Sequence, residues 1–293
     1  MGKRRIAQAL TALLYNFNLK GFFTGRIYQG KLKYVCVPGF NCYSCPGAVG
    51  SCPIGSLQSA IGAVYFKISF YVAGFLIFIG AIFGRFICGW ACPFGLIQEL
   101  LYKIPSPKLK NKRAFGYLKY GKYVMLAVFV LLLPAVLYLQ SGVTTPTFCK
   151  YICPAGTLEA GVPLVALNEQ LQQSIGWLFS WKVLLLVAMI VFSVLVYRPF
   201  CRFVCPLGAI YALFNRVSVF GIRLETPKCT HCSACARACK MDINPSVTPN
   251  SAECIRCGDC IKACPTQALH FGAMYKKDAA PALPSQETVT RHD

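Results

Sequence analysis

Acidic side chains are scarce in this chain. Ten Asp and Glu stand against thirty Lys and Arg among 293 residues, and the first acid is Glu99. Charge of either sign is thin as well, at 14% of residues against 56% hydrophobic. A soluble protein of this length needs more charge to cover its surface, so the composition excludes an ordinary soluble globule and points to a membrane. No small-residue cleavage site follows an apolar core near the N-terminus, so no cleavable signal peptide is expected. Gly-rich phosphate loops and flavin or nicotinamide fingerprints are missing too. The net charge of +20 would suit nucleic acid, but apolar runs and clustered cysteines exclude that class. The positive-inside rule and an electrostatic lure for an acidic redox partner account for it better.

What the chain has in quantity is apolar length. Residues 68–84, 123–139 and 183–197 carry no charge. With their apolar neighbours each reaches the roughly 17–25 residues that span a bilayer as a helix. Residues 6–28 form a weaker fourth candidate, uncharged only over Ile6–Leu19, which hydropathy alone would make interfacial. The loop after the first strong run carries Lys103, Lys108, Lys110, Lys112, Arg113, Lys119 and Lys122 against Glu99 alone, so it belongs in the cytoplasm. Residues 141–180, with Lys150, Glu159 and Glu169, then lie outside. The third run returns inward to Arg198 and Arg202, and everything after it is cytoplasmic, where thiolates stay reduced.

Cysteine is the second abundance, at eighteen residues. Cys229, Cys232, Cys235 and Cys239 have the spacing C-x2-C-x2-C-x3-C, and Cys254, Cys257, Cys260 and Cys264 repeat it before Pro265. This spacing serves a pair of [4Fe–4S] clusters, with the fourth Cys of each run reaching across to the other cluster. One cluster then takes Cys229, Cys232, Cys235 and Cys264, and the other Cys254, Cys257, Cys260 and Cys239. A structural zinc site also uses C-x2-C pairs, but two complete four-Cys runs favour clusters.

An internal repeat organises the rest. Arg85-x2-Cys88-x3-Cys92-Pro93-x-Gly95 recurs as Arg198-x2-Cys201-x3-Cys205-Pro206-x-Gly208, and Cys52-Pro53-x-Gly55 resembles Cys153-Pro154-x-Gly156. Two tandem halves follow, about 1–105 and 106–220, related by a pseudo-twofold axis along the membrane normal. The parallel raises residues 6–28 to a fourth spanning helix. Neither C-x3-C pair completes a cubane alone, but Cys88, Cys92, Cys201 and Cys205 together supply four thiolates on the inner side. Pro after the second Cys starts a helix whose N-terminus faces the thiolates, and Gly allows close backbone approach. Buried free cysteines at helix ends are the plainer alternative.

Six cysteines fall on the outer side: Cys36, Cys42, Cys45, Cys52, Cys149 and Cys153. The first four lie in a Gly- and Pro-dense stretch that reads as an irregular loop. Spacing leaves two ligand sets open for an outer cluster. One is Cys36, Cys42, Cys45 and Cys52, with Cys149 and Cys153 as a redox dithiol. The other is Cys52, Cys149, Cys153 and one more, with Cys42 and Cys45 partly free as a dithiol. Structural disulfides are a third possibility on an oxidising face.

These motifs resemble those of membrane polyferredoxins, over roughly residues 60–270. That family includes the quinol dehydrogenase subunit of periplasmic nitrate reductase systems and the membrane part of the nitrous-oxide reductase maturation protein. Cys88, Cys92, Cys201 and Cys205 match its two C-x3-C-P motifs, and Cys229 to Cys264 match its ferredoxin motifs. The resemblance implies electron traffic between the quinone pool or cytoplasm and periplasmic reductases. The chain departs from the pattern in a third C-x3-C-P at Cys149 and in the loop Cys36–Cys52. These additions suggest a path to the outer face that a quinol dehydrogenase does not need.

Smaller expectations complete the reading. Arg85 and Arg198 are expected to snorkel to the interface, and Glu99 to lie on a solvated face. Lys67 and Lys182 are expected as interfacial anchors, Trp181 in the aromatic belt, and His231 as an exposed loop residue. Residues 276–293 are expected to be a disordered tail. The whole is an all-α membrane bundle of about four helices (1–220) followed by a bacterial-type two-cluster ferredoxin domain (221–275). Its expected role is to pass electrons through several [4Fe–4S] clusters between a cytoplasmic ferredoxin, flavodoxin or flavoprotein donor and an extracytoplasmic acceptor. The alternatives are a quinol or quinone oxidoreductase subunit, for which quinone is a candidate ligand, and a redox-sensing or assembly protein.

Overall fold

The computed structural model describes residues 2–61, 66–109 and 112–274. The expected tail 276–293 lies outside the described residues, as do the side chains of Lys67, Lys110, Lys112 and Arg113. The main helices are α1 (Lys3–Tyr15), α2 (Pro53–Ala60), α3 (Phe66–Phe83), α4 (Pro93–Leu101), α5 (Phe115–Ser141), α6 (Pro154–Leu167), α7 (Trp177–Leu195) and α8 (Pro206–Phe214). Each of α2, α4, α6 and α8 begins at the Pro after a cysteine.

Among the described residues, α5 and α7 are long and apolar enough to cross a membrane. Leu131, Leu132 and Leu139 on α5 and Leu184, Val187 and Val191 on α7 are exposed, as side chains facing lipid tails would be. Pro134 has no N–H to give the preceding turn of α5, which is π-helical over Met125–Leu132. The Thr147 hydroxyl donates to the Phe129 carbonyl there (2.5 Å). That bond ties the short turn Thr147–Tyr151, which carries Cys149, to the long helix.

Residues 6–28 do not form one continuous helix. α1 has 13 residues, about 20 Å at 1.5 Å per residue, against a hydrocarbon core of about 30 Å. It stops at Asn16, whose side-chain amide donates to Ala12 O and Asn41 Oδ1. Arg4, Gln8 and Tyr15 are buried along α1. Polar burial of this kind is what a hydropathy average misreads.

The C-terminal part holds a two-stranded antiparallel sheet, β1 (Phe220–Leu224) and β2 (Leu269–Ala273), with Ile222 opposite Phe271. The two cysteine runs lie between the strands, on loops and on the one-turn helices Ala234–Ala238 and Asp259–Lys262. The sheet docks on the turn Phe86–Trp90. Phe86 stacks on Trp90 (5.2 Å) and meets Phe220 edge-on (5.2 Å). Ion pairs fasten the same junction, with Arg85 and Lys122 fully buried and Asp242 exposed. Glu253 pairs with Arg85 (3.0 Å) and Lys122 (2.6 Å), and Arg202 pairs with Asp242 (2.8 Å). Lys122, counted by sequence among the cationic loop residues, is fully buried in this cluster. Arg256 is buried too, and its guanidinium donates to Phe83 O, Asn215 O, Phe220 O and Ser218 Oγ.

Candidate metal centres

Among the described residues, four cavities are each ringed by four cysteines. Cys229, Cys232, Cys235 and Cys264 surround one of 330 Å³. Cys239, Cys254, Cys257 and Cys260 surround one of 300 Å³. Cys88, Cys92, Cys201 and Cys205 surround one of 270 Å³. The fourth is larger, at 1020 Å³, with Cys42, Cys52, Cys149 and Cys153 in its wall. Cys36 and Cys45 do not line it. The set Cys36, Cys42, Cys45 and Cys52 is therefore not gathered around one cavity, and the structure brings Cys42 to Cys52, Cys149 and Cys153. Cys45 is buried in the turn that starts at Cys42, and Cys36 is buried beside Ser51.

No three His, Cys, Asp or Glu side chains among the described residues are placed to hold a single metal ion. The sulfurs stand around hollows instead, the arrangement a cubane with one thiolate per iron requires. Four thiols around each hollow are soft donors, which fit an iron–sulfur cluster and not a hard cation.

The Cys-Pro helices explain the local geometry. Cys153 and Cys205 are N-cap residues whose Sγ accepts the N–H of Gly156 and Gly208 (3.3 Å each). Pro at the first helical position costs no hydrogen bond. The Gly has a second use. A Cβ on Gly95 would lie 3.1 Å from the Arg198 guanidinium, and one on Gly156 would lie 3.7 Å from Cys42 Sγ.

Arg85 and Arg198 do not snorkel. Both are fully buried, and each reaches the backbone of the other C-x3-C motif. Arg85 donates to Cys201 O (2.9 Å), and Arg198 donates to Cys88 O. Glu99 is not on a solvated face either. It is 3% exposed and takes Arg4 (2.5 Å), Arg198 (2.7 Å) and the Tyr197 hydroxyl (2.6 Å) on one oxygen. Burial alone would raise its pKa. Arg198, Tyr197 and Arg4 outweigh that and hold it below the usual carboxylate range. Arginines buried against a membrane segment need such partners. Lys182 is half-buried and donates to Cys149 O (3.3 Å), Trp181 is exposed with its indole N–H on Tyr151 O (3.2 Å), and His231 is exposed.

Sequence reading missed several residues at the quartets. Phe40 lines both the inner and the outer cavity. Gln58, Gln98, Glu159 and Tyr211 share one place, six residues after the Cys that opens each Cys-Pro helix. The Glu159 carboxylate accepts the Cys42 N–H (2.6 Å), and burial pushes it up to about 7. A common offset from the motif was the available signal. Burial pushes the Cys42 thiol up to about 12, with Glu159 adding to it, and Cys92 likewise with Cys201 and Cys88 adding. Such thiols give up protons when a cation takes their place.

The four cavities stand in series. Cys235, Cys254 and Cys260 share a core with Ile222 and Leu269, which joins the first two. Ile255 lines the second, and its carbonyl lies 2.2 Å from where Gly89, next to Cys88, would carry a Cβ. Phe40 then separates the third from the fourth. The loop 36–52 is no surface loop: it carries Phe40 inward, and Cys36, Val37, Phe40, Asn41, Cys45, Ala48 and Cys52 are buried.

Comparison with known proteins agrees with this chemistry. A family model described as a 4Fe–4S binding domain matches residues 68–112, 125–162 and 177–225, and another of the same description matches 247–270. An uncharacterized protein of Methanocaldococcus jannaschii is 31% identical over 68% of this chain and 69% of its own. The regulatory protein NosR of Stutzerimonas stutzeri is 29% identical over 59% of this chain and 22% of its own length. The ferredoxin-type protein NapH of Escherichia coli is 24% identical over 81% of this chain and 76% of its own. No solved structure matches.

Proposed function

We propose that this chain, which belongs to the ferredoxin-type 4Fe–4S proteins of membrane electron transport, is a transmembrane conduit with four [4Fe–4S] clusters in line. Residues 1–105 and 106–220 form the two halves of its membrane domain, with α3 joining α5 and α7 as a span and the shorter α1 packed against α4. Residues 221–275 form a two-cluster ferredoxin domain on the cytoplasmic side. The clusters take Cys229, Cys232, Cys235 and Cys264; Cys239, Cys254, Cys257 and Cys260; Cys88, Cys92, Cys201 and Cys205; and Cys42, Cys52, Cys149 and Cys153. Each cluster supplies a one-electron site. The protein's part is to hold the sulfurs, exclude water and keep the sites adjacent.

The observation that carries this reading is the succession of cavities linked by the Ile222–Leu269 core and the Gly89–Ile255 approach, ending in a single aromatic ring, Phe40, that lines both the inner and the outer cavity. A bilayer core of about 30 Å is thereby divided into short steps. An electron enters from a cytoplasmic redox protein and leaves to an extracytoplasmic acceptor. Anaerobically purified protein should contain about 16 iron and 16 sulfide per chain, four of each per cubane. A content near eight would leave a tethered ferredoxin and sink the conduit.

A second reading has one observation in its favour. A cavity of 1340 Å³ between the membrane and ferredoxin parts is lined by Tyr102, Tyr197, Leu109, Val196, Lys240 and Cys239, among others. Tyr102, Tyr197, Leu109 and Val196 offer apolar contact to a quinone ring beside a cluster cysteine, and the charged Arg202, Arg237, Lys240 and Asp242 in the same wall offer polar contacts to its carbonyls. Reduction of the clusters by a quinol in the absence of any soluble donor would favour that reading.

A further inference from the structure

Gln58 on α2 and Gln98 on α4 occupy the same position in the repeated Cys-Pro helix, and both are buried, at 0% and 1% exposure. Their hydrogen bonds are the same set, made twice. Gln58 Oε1 accepts the Phe148 N–H (2.9 Å), and its Nε2 donates to Cys149 Sγ (3.4 Å) and Ile54 O (3.2 Å). Gln98 Oε1 accepts the Phe200 N–H (3.1 Å), and its Nε2 donates to Cys201 Sγ (3.2 Å) and Phe94 O (3.2 Å). The backbone N–H fixes which end of each amide is oxygen, so the other end must present N–H groups to the sulfur.

In the second half the same position does something else. Tyr211 donates to Pro38 O (3.0 Å), and Glu159 accepts from Cys42 N (2.6 Å). Both hold the inserted loop 36–45 rather than a sulfur. The inner and outer quartets therefore each receive a side-chain N–H bond from a first-half glutamine, onto the first cysteine of a second-half C-x3-C.

We infer that Gln98 and Gln58 are positioning residues that set the reduction potentials of the inner and outer clusters, each raising the potential of its own. A cluster that gains one electron gains negative charge on its sulfurs, so an N–H aimed at one sulfur stabilises the reduced form more than the oxidised form. Gln58 and Gln98 are themselves shut off from solvent, so a Leu in either place leaves the sulfur without that donor. The inference rests on the quartets being cluster sites, as proposed above.

The test is a potentiometric titration of the full-length protein, followed by electron paramagnetic resonance, with iron content measured on the same samples. Gln98→Leu should shift one cluster to lower potential by about tenfold in its reduction equilibrium, about 59 mV for one electron. Gln58→Leu should shift a different cluster the same way. Gln98→Glu keeps the acceptor for Phe200 N–H, removes the amide donor and, as a carboxylate, adds negative charge beside the sulfur, so it should shift the same cluster down further than Gln98→Leu. Unchanged potentials at full iron content would overturn the inference, as would both glutamines acting on one signal. Loss of one cluster's iron in both Gln98→Leu and Gln98→Glu would make Gln98 a structural element and overturn it too. Wild-type iron near eight would instead remove the cluster sites themselves.

Discussion

Ala48 stands where the repeat calls for a cysteine, four residues before Cys52, and Cys42 comes to the same cavity from farther up the loop. Cysteine spacing left the outer ligands open because the loop folds back on itself, and no local rule says which of its thiols turns inward. The placement makes a sharp prediction. Cys42→Ser should cost the outer cluster, about four iron per chain, while Cys36→Ser and Cys45→Ser should keep it. Equal loss from Cys45→Ser and none from Cys42→Ser, read by iron and sulfide assay, would reverse the assignment. The runs Cys229–Cys239 and Cys254–Cys264 were legible for the opposite reason. Their partners are near in sequence, and the same two groups of four stand around one cavity each. Arg85, Arg198 and Glu99 were misread as interfacial or solvated because their partners are remote in sequence: 95 residues separate Arg4 from Glu99, 98 separate Glu99 from Tyr197, and 116 separate Arg85 from Cys201. A charge near a helix end looks the same in sequence whether it meets water or a buried partner.

Helices that begin at Cys-Pro are the recurring element. Their sequence announces them: Cys as cap, Pro at the first position, Gly two residues on. The repeat made α4 and α8 legible as equivalents, but it also lent α1 a length it does not have, since the parallel with α5 ignores the buried Arg4 and Gln8. The turn Phe86–Trp90 has an equally specific role. Gly89 leaves room for the Ile255 backbone, and a Cβ there would sit 2.2 Å from the carbonyl oxygen. Backbone cannot swing aside as a side-chain tip can, so Gly89→Ala should force the ferredoxin part away from the inner quartet. Overpacking of this kind costs about 1–3 kcal/mol. All four clusters should remain, while electron transfer from the ferredoxin clusters to the inner one slows. Rapid-freeze reduction kinetics check this, and an unchanged rate would show that the Gly89–Ile255 contact is not the junction.

At the scale of the whole molecule, charge and position agree. The ferredoxin part is fastened by Arg85, Lys122 and Arg202 to acids Glu253 and Asp242, so part of the cationic excess is consumed inside the protein. Arg85 and Lys122 are the buried members, and removing one partner of a buried pair costs about 3–5 kcal/mol, so the Glu253 junction is not loosely held. From it the cysteine quartets run in sequence to the outer cavity, where Lys150 and Lys182 are in the lining. The measurement that bears most directly on this account uses the protein in sealed vesicles with its ferredoxin part outward. A reduced ferredoxin is added outside, and a membrane-impermeant one-electron dye is trapped inside. The account predicts that the trapped dye is reduced by wild-type protein and not by Cys149→Ser, although the three other clusters are still reduced in that variant. Dye reduction at the wild-type rate by Cys149→Ser, or none by the wild type with all four clusters reduced, would contradict it.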